Sequence, residues 1–177
     1  MATTADTKPR IPYSKSLAPN VYEKLLSAGA IILLGCVVVA ILKGRAEWAS
    51  IPLLVWPHLL TIVVAVALTP VMLLRPRGTT AHRQLGWVWV SAMFLTAFLS
   101  LFLRTASNGS FSVIHILSVY TMIQVPIIVW SARKHNLKRH RYGVRAMVTG
   151  ALLIAGFFTF PFNRLLGHWL FATTSWG

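Results

Sequence analysis

The stretches PHLLTI (residues 57–62) and AHRQLG (residues 81–86) begin and end a unit of this sequence that the chain then repeats. The second copy begins with IHILSV (residues 114–119) and ends with RHRYG (residues 139–143). The two histidines are 24 residues apart in the first copy and 25 in the second, and a proline lies about midway in each. Self-similarity of this kind is typical of a duplicated structural unit. We therefore predict an internal repeat of two helices.

The repeat bears directly on the histidines, because parallel repeats in membrane proteins are related by an axis along the membrane normal. Such an axis would bring His58 and His115 to one depth, near one surface. It would bring His82 and His140 to a second depth, near the other surface. Two facing pairs of imidazoles are the arrangement that two bis-histidine haems require.

Composition indicates that this repeat lies in a lipid bilayer. The chain has 177 residues, of which 56% are apolar, with a mean hydropathy of +0.67 and only three acidic residues. We expect an all-α integral membrane bundle of five transmembrane helices, with the repeat in helices 2–3 and 4–5. It forms one domain, residues 24–177, after a disordered cytoplasmic tail, residues 1–23. The stretches long and apolar enough to span about 30 Å of hydrocarbon are residues 24–43, 52–74, 84–104, 111–132 and 142–162.

The basic residues predict the orientation of the bundle. If the N-terminus is cytoplasmic, 13 of the 17 lysines and arginines fall in cytoplasmic segments and four fall outside. This bias follows the positive-inside rule, so we expect an N-in, C-out protein. The net charge of +14 is then explained by contact with anionic lipid headgroups. Nucleic-acid binding is the competing interpretation, but the sequence carries no nucleic-acid-binding fold motif, and we set it aside.

The sequence argues against several classes of enzyme. No Asp or Glu lies inside an expected span, which removes the acidic groups of proton-coupled transporters and the carboxylate dyads of general acid–base catalysis. The HExxH, Walker and G-x-S-x-G motifs are also absent from the sequence. There is no hydrolase signature, and redox chemistry in the membrane is the activity left to consider.

Imidazole is the metal-binding group that remains. Neutral histidine binds haem iron axially, and it also binds zinc or copper. We predict that His58 and His115, which we call the outer pair, hold one b-type haem near the outer face. We predict that His82 and His140, which we call the inner pair, hold a second haem near the inner face. Arginines at the inner surface are available to the haem propionates.

Simpler interpretations compete with these predictions. Histidines at helix ends are often anchors in the headgroup zone. This interpretation competes with ligation at the inner pair, and it is the expected one for His135 and His168.

Gly86 and Gly143, which follow the inner histidines, would let a flat macrocycle approach the backbone. The tryptophans are expected mostly near span ends, as an aromatic belt: Trp48, Trp56, Trp87, Trp89, Trp130, Trp169 and Trp176.

The sequence resembles two protein families. The phrases HRQLGW (residues 82–87) and HRYGVRAM (residues 140–147) resemble the paired signatures of an uncharacterised bacterial family of predicted membrane proteins, a domain of unknown function, over roughly residues 50–170. This resemblance implies a multi-helix inner-membrane protein and no particular activity. The pairing of histidines on helices two with four and three with five is similar to the ascorbate-reducible di-haem transmembrane cytochromes b. That second resemblance implies the same outer and inner pairs, although this chain has shorter His-to-His intervals and no ascorbate-site motif.

Three functional hypotheses follow. The first is a transmembrane b-type cytochrome-like electron carrier, with quinone as a candidate partner in electron exchange. The second is a non-catalytic membrane subunit or assembly factor of a larger respiratory or photosynthetic complex, whose histidines would be interfacial or would bind a pigment. The third is a zinc or copper site at the outer pair, where two imidazoles fall short of the usual four ligands of structural zinc.

Overall fold

The computed structural model describes residues 18–103, 113–161 and 164–171, and these residues form helices and turns with no β-strand among them. A 3-10 helix, Gly44–Ser50, follows α1, and a π-helical segment, Val148–Ile154, joins α5 to α6. We call α5, the π segment and α6 together the fifth helix. In chain order the α-helices are α1 (Val21–Lys43), α2 (Val55–Leu74), α3 (Thr80–Ser100), α4 (Val113–Arg133), α5 (Leu137–Met147), α6 (Ala155–Phe157) and α7 (Leu165–Phe171).

The helices form a closed ring. Each of α1 to α4 packs against the next helix along the chain, and the π segment returns to pack against α1. The first helix therefore contacts both the second and the fifth. The α3 helix separates α2 from α4, and α4 separates α3 from the fifth helix. The two histidines of each predicted pair therefore lie on helices that are not adjacent, and they could contact each other only through the interior of the ring.

Three helices in the described part of the chain are long and apolar enough to cross a membrane: α1 with its 3-10 extension, α2, and α4 from residue 115 onward. On α1 the apolar character extends to the outward side, where Leu25 and Ile32 are 65% and 68% exposed. A helix that is apolar all round is suited to lipid and not to water. The α3 helix is 21 residues long, which is about 31 Å at 1.5 Å per residue. It is less apolar than these three helices because it begins with a polar stretch (residues 81–84).

The expected spans agree with the helix bounds to within a few residues, but the expected tail is too long. Residues 21–23 are the first turn of α1, because Asn20 caps that helix. The backbone N–H of Glu23 donates to Oδ1 of Asn20 over 3.1 Å, and the backbone N–H of Asn20 donates to Oε2 of Glu23 over 3.0 Å. This reciprocal pair is a capping box. The rest of the expected tail (1–17), residues 104–112 and Trp176 lie outside the described residues.

The ring has two ends of different composition. The starts of α1, α3 and α5 and the ends of α2 and α4 lie together, and we call this the arginine end because Arg77, Arg141 and Arg145 meet there. The other end, which we call the opposite end, is covered by α7 packing against α1. The two ends are therefore built by different interactions, charge at one and packing at the other.

Close packing defines the opposite end. Trp169 of α7 is 2% exposed and lies directly against the backbone of Gly44, where an added Cβ would be 2.1 Å from the indole ring. The indole Nε1 donates to Oε2 of Glu47 over 3.0 Å. The Nζ of Lys43 donates to the carbonyl oxygen of Leu170 over 2.6 Å. Only a residue without a side chain allows Trp169 to approach α1 this closely.

The predicted aromatic belt is wrong for two tryptophans. Trp89 and Trp169 are 3% and 2% exposed and belong to the core of the bundle. The Nε1 of Trp89 donates to Oγ1 of Thr69 over 3.0 Å, which joins α3 to α2 and satisfies the indole N–H away from water. Trp87 and Trp130 are each 52% exposed, as a belt requires.

Candidate functional site

Each of the four predicted ligands lies within the first four residues of its helix: His58 in α2, His82 in α3, His115 in α4 and His140 in α5. The inner pair is therefore at the arginine end and the outer pair at the opposite end. His115 is buried, at 6% exposed, and the other three are partly buried. Within each pair, the two positions along the helix differ by one residue.

Two of these imidazoles are oriented by a backbone carbonyl of a neighbouring helix. The Nδ1 of His58 lies 3.2 Å from the carbonyl oxygen of Thr96, and the Nδ1 of His140 lies 3.1 Å from the carbonyl oxygen of Ile128. Because a carbonyl oxygen can only accept, each Nδ1 carries the hydrogen and donates it, and Nε2 keeps its lone pair. Proteins commonly orient a metal-binding histidine with this kind of bond.

The two imidazoles of the inner pair are close enough to influence each other electrostatically. Burial lowers the pKa of His82, and repulsion from His140 and Arg77 lowers it further. Burial also lowers the pKa of His140, the bond to the Ile128 carbonyl opposes this change, and Arg77 adds to the lowering. The Nδ1 of His82 is buried and has no hydrogen-bond partner among the described residues. Both rings therefore favour the neutral form, in which histidine binds a metal.

The outer pair has less space around it. His58 lines a central cavity of ≈ 140 Å³ that is enclosed by α1 to α4, the fifth helix and α7. Pockets for drug-sized ligands begin at about 300 Å³, so this cavity does not fit a haem. Beside it, Ser118, one turn after His115, is hydrogen-bonded to Ser100 of α3. The outer haem stays a prediction.

Sequence reasoning missed a buried carboxylate at the arginine end. Glu23 is 0% exposed and is surrounded by three guanidinium groups. Its oxygens lie 2.7 Å from Nη2 of Arg77, 2.7 Å from Nε of Arg141 and 3.1 Å from Nη2 of Arg145. The cluster joins the start of α1 to the loop after α2 and to the fifth helix. A single side chain thus fastens three segments of the ring.

A signal for Glu23 is present in the sequence. Residues 20–23 follow the N-x-x-E pattern of a capping box, which predicts that a helix begins at residue 21 and includes Glu23 in its first turn. The expected absence of acids holds for the interior of the spans and fails for this first turn. The three arginines around it come from segments far away in the chain, and no local pattern predicts that they contact Glu23.

The cluster makes the arginine end electropositive. Three guanidinium groups around one carboxylate leave two positive charges in excess. The hydrogen bonds from Arg141 to Glu23 raise the pKa of Arg141. Arg145 also lies over the ring of Tyr22, with its Cζ 5.9 Å from the ring centroid. Anionic groups would therefore be attracted to this end, next to the inner pair.

The prediction that Gly143 admits a flat macrocycle is wrong. A Cβ there would lie 2.9 Å from Nε2 of Gln124 and 2.9 Å from Cγ1 of Ile128, because α5 packs directly against α4. At Gly86 a Cβ would meet the terminal methyl of Met72 at 3.5 Å, an ordinary contact. The glycine after His140 is thus used for helix packing.

The two remaining histidines lie apart from both pairs. His135 is exposed in the turn between α4 and α5, with a φ of 54°. The Nε2 of His168 lies 3.4 Å from Oε1 of Glu47, and both side chains are about half exposed. In the described part of the chain, His, Cys, Asp and Glu side chains nowhere gather in threes to hold a metal ion. The zinc or copper hypothesis therefore gains no further ligands there.

The local geometry is the only guide to function. The two resemblances noted in the sequence stay predictions. No family model, curated protein or solved structure matches this chain.

Proposed function

We propose that the protein is an integral membrane electron carrier similar to the b-type cytochromes, and that its inner pair, His82 and His140, holds a haem. The environment of that pair carries the proposal. Both imidazoles favour the neutral form, His140 already donates its Nδ1 hydrogen to a carbonyl, and Nδ1 of His82 is a buried polar atom that lacks a partner among the described residues. A haem held by these two histidines would supply one-electron transfer chemistry.

Arg77 supports the same site. Its positive charge is close enough to both inner histidines to lower the pKa of each. Guanidinium groups bind carboxylates through strong charge-assisted hydrogen bonds, and haem carries two carboxylates. Because Arg77 is already paired with Glu23, a propionate would be attracted by the excess positive charge of the whole arginine cluster. Membrane quinone is the candidate partner for electron exchange.

We propose five membrane spans in an N-in, C-out bacterial inner-membrane protein. The lengths of α3 and the fifth helix support this count, and the concentration of arginines at one end supports the orientation through the positive-inside rule. We further propose that the α2–α3 and α4–α5 pairs are related by an axis along the membrane normal. The matched positions of the histidines in their helices support that relation.

Cysteine labelling tests the orientation. In a Cys36→Ser background, Asn136→Cys places a thiol in the α4–α5 turn, and Ser50→Cys places one at the opposite end of the ring. Both positions are exposed. We expect a membrane-impermeant maleimide to label Ser50→Cys in spheroplasts and Asn136→Cys only in inverted vesicles. Labelling of Asn136→Cys from the periplasmic side would contradict the proposed topology.

A visible absorption spectrum of the purified full chain, before and after dithionite, tests the haem. We expect the reduced spectrum of a b-type haem, and we expect its loss in His82→Ala and in His140→Ala. His135→Ala is the matched control, because this neighbouring histidine is exposed and lies outside the pair. A partial loss of the haem absorption in His115→Ala would indicate that the outer pair binds a second haem. A colourless wild-type protein, expressed with ample haem, would contradict the proposal.

The non-catalytic membrane subunit or assembly factor is the second candidate. The small cavity beside His58 favours it, because a packed bundle of this kind needs no cofactor at the outer pair. The half-exposed tryptophans, Trp87 and Trp130, favour it as well, since exposed aromatic side chains are enriched at interfaces. The same spectrum separates the two candidates, because a subunit without haem is colourless.

A further inference from the structure

A long groove runs between α3 and α4 on the outside of the ring. Its volume is ≈ 570 Å³, and its walls are mainly apolar. On α3 the lining residues recur at helical spacing, from Trp87 through Ser91 to Leu95, so they form one continuous stripe. The facing wall on α4 runs from Pro126 to Arg133. The groove is therefore aligned with the helices and, in the proposed topology, with the lipid chains.

The middle of the groove is formed by small or compact side chains. Ser91 is exposed and stands between the larger Trp87 and Leu95, and Pro126 contributes its ring on the facing helix. The rest of the lining near them, including Phe94 and Val129, is apolar. A slender apolar chain is the shape that such a groove admits.

A cation is fixed at the arginine end of this groove. The guanidinium carbon of Arg133 lies 5.5 Å from the ring centroid of Trp87, and that of Arg139 lies 5.5 Å from the ring centroid of Trp130. Stacking on an aromatic face holds a guanidinium in place through cation–π attraction. It leaves the N–H groups at the edge of the guanidinium able to donate to an anion.

The described chain offers no acidic side chain to this cation. Its two acids are Glu23, which pairs with the three arginines of the ring's arginine end, and Glu47, which lies at the opposite end. In a contact between two copies of the chain, the described residues of the second copy would therefore offer Arg133 no carboxylate that is not already in an ion pair. A neutral quinone head would leave the charge without a counter-ion. An anionic phospholipid supplies the counter-ion through the net negative charge of its headgroup, and its acyl chain supplies the apolar part.

We propose that this groove binds an anionic phospholipid, with one acyl chain between α3 and α4 and the phosphate on Arg133. Basic pockets between transmembrane helices at the cytoplasmic surface bind anionic headgroups in this way. The site is separate from the inner histidine pair and does not depend on whether a haem is bound. Arg139, on the far side of Trp130, adds to the positive field at the same surface.

Native mass spectrometry of the full chain in a mild detergent tests the site. One arm is titrated with dioleoyl-phosphatidylglycerol and the other with dioleoyl-phosphatidylcholine. We expect the first phosphatidylglycerol adduct at about fivefold lower lipid concentration than the first phosphatidylcholine adduct, the factor typical of one basic residue at an anionic surface. Arg133→Gln removes the difference. Lys134→Gln, the exposed neighbour and matched control, retains it.

A second pair of variants tests the apolar part. Ser91→Trp fills the middle of the groove and weakens the first adduct of both lipids, whereas Leu60→Trp, at an exposed position on α2, leaves both adducts unchanged. Equal binding of the two lipids by the wild-type chain would overturn the proposal. So would equal effects of Arg133→Gln and Lys134→Gln, since the charge would then act diffusely. A dimer whose abundance falls in Ser91→Trp would assign the groove to a second copy instead.

Discussion

The two ends of the ring each hold one of the two described acids, and they use them in different ways. Glu23, at the arginine end, has a side chain that is 1% exposed and is bound by three arginines. Glu47, at the opposite end, has a side chain that is 47% exposed and contacts His168 and the indole of Trp169. A buried charge depends on its partners for solvation, whereas an exposed one is solvated by water. The arginine end is thus held by charge, and the opposite end by packing.

The largest effect is expected from Glu23→Gln. Glutamine preserves the capping box but removes the charge and leaves three guanidinium groups with a neutral partner. Removing one partner of a buried ion cluster costs about 3 kcal/mol or more, which lowers the melting temperature of a domain this size by about 10 °C. Thermal unfolding of the purified protein in detergent measures the change.

Glu47→Gln is the matched control for that experiment. An exposed pair such as Glu47 with His168 contributes about 0–1 kcal/mol, and glutamine can still accept the hydrogen bond from Trp169. We therefore expect a shift in the melting temperature of a few degrees at most. Equal shifts for the two variants would contradict the distinction between a charge-held and a packing-held end.

A smaller effect is expected from Gly44→Ala at the opposite end. The added Cβ would lie 2.1 Å from the ring of Trp169, so the tryptophan and α7 have to move. Overpacking of this kind costs about 1–3 kcal/mol, and it also exposes Trp169. Thermal unfolding measures the cost, and the emission wavelength of tryptophan fluorescence reports the exposure.

Gly35→Ala is the control for Gly44→Ala. An added Cβ at Gly35 meets nothing within 4 Å, and alanine in a helix interior gains about 0.5–1 kcal/mol over glycine. We expect an unchanged or higher melting temperature for this variant. If Gly44→Ala unfolds at the same temperature as Gly35→Ala, close contact with Trp169 does not hold the opposite end.

The sequence predicted the features that depend on local patterns. The apolar runs set the helix bounds to within a few residues, because burying or immersing backbone in lipid requires a continuous helix. His82 and His140 lie in the first turns of α3 and α5, and the sequence predicted both helix starts to within a few residues. The interpretation of His135 and His168 as surface groups needed only their positions in the sequence, in a basic loop and near the C-terminal end.

The features that the sequence did not predict depend on distant contacts. Arg141 lies 118 residues after Glu23, so no local window contains both members of the pair. Trp89 sits in a helix with an exposed tryptophan two residues before it, and only the position of Thr69 on α2 shows which of them is buried. The size of the cavity beside His58 and the contact of Gly143 with α4 are likewise set by how helices pack.

The position of Glu23 has a consequence for the order in which the protein is made. The carboxylate is synthesised at the start of the first helix, but its partners Arg141 and Arg145 follow 118 and 122 residues later. Contacts of such long sequence separation are the last to become available to a growing chain. Until then Glu23 has an incomplete set of partners. The ring can therefore close only after the fifth helix has been synthesised, and the carboxylate joins the first helix to the fifth.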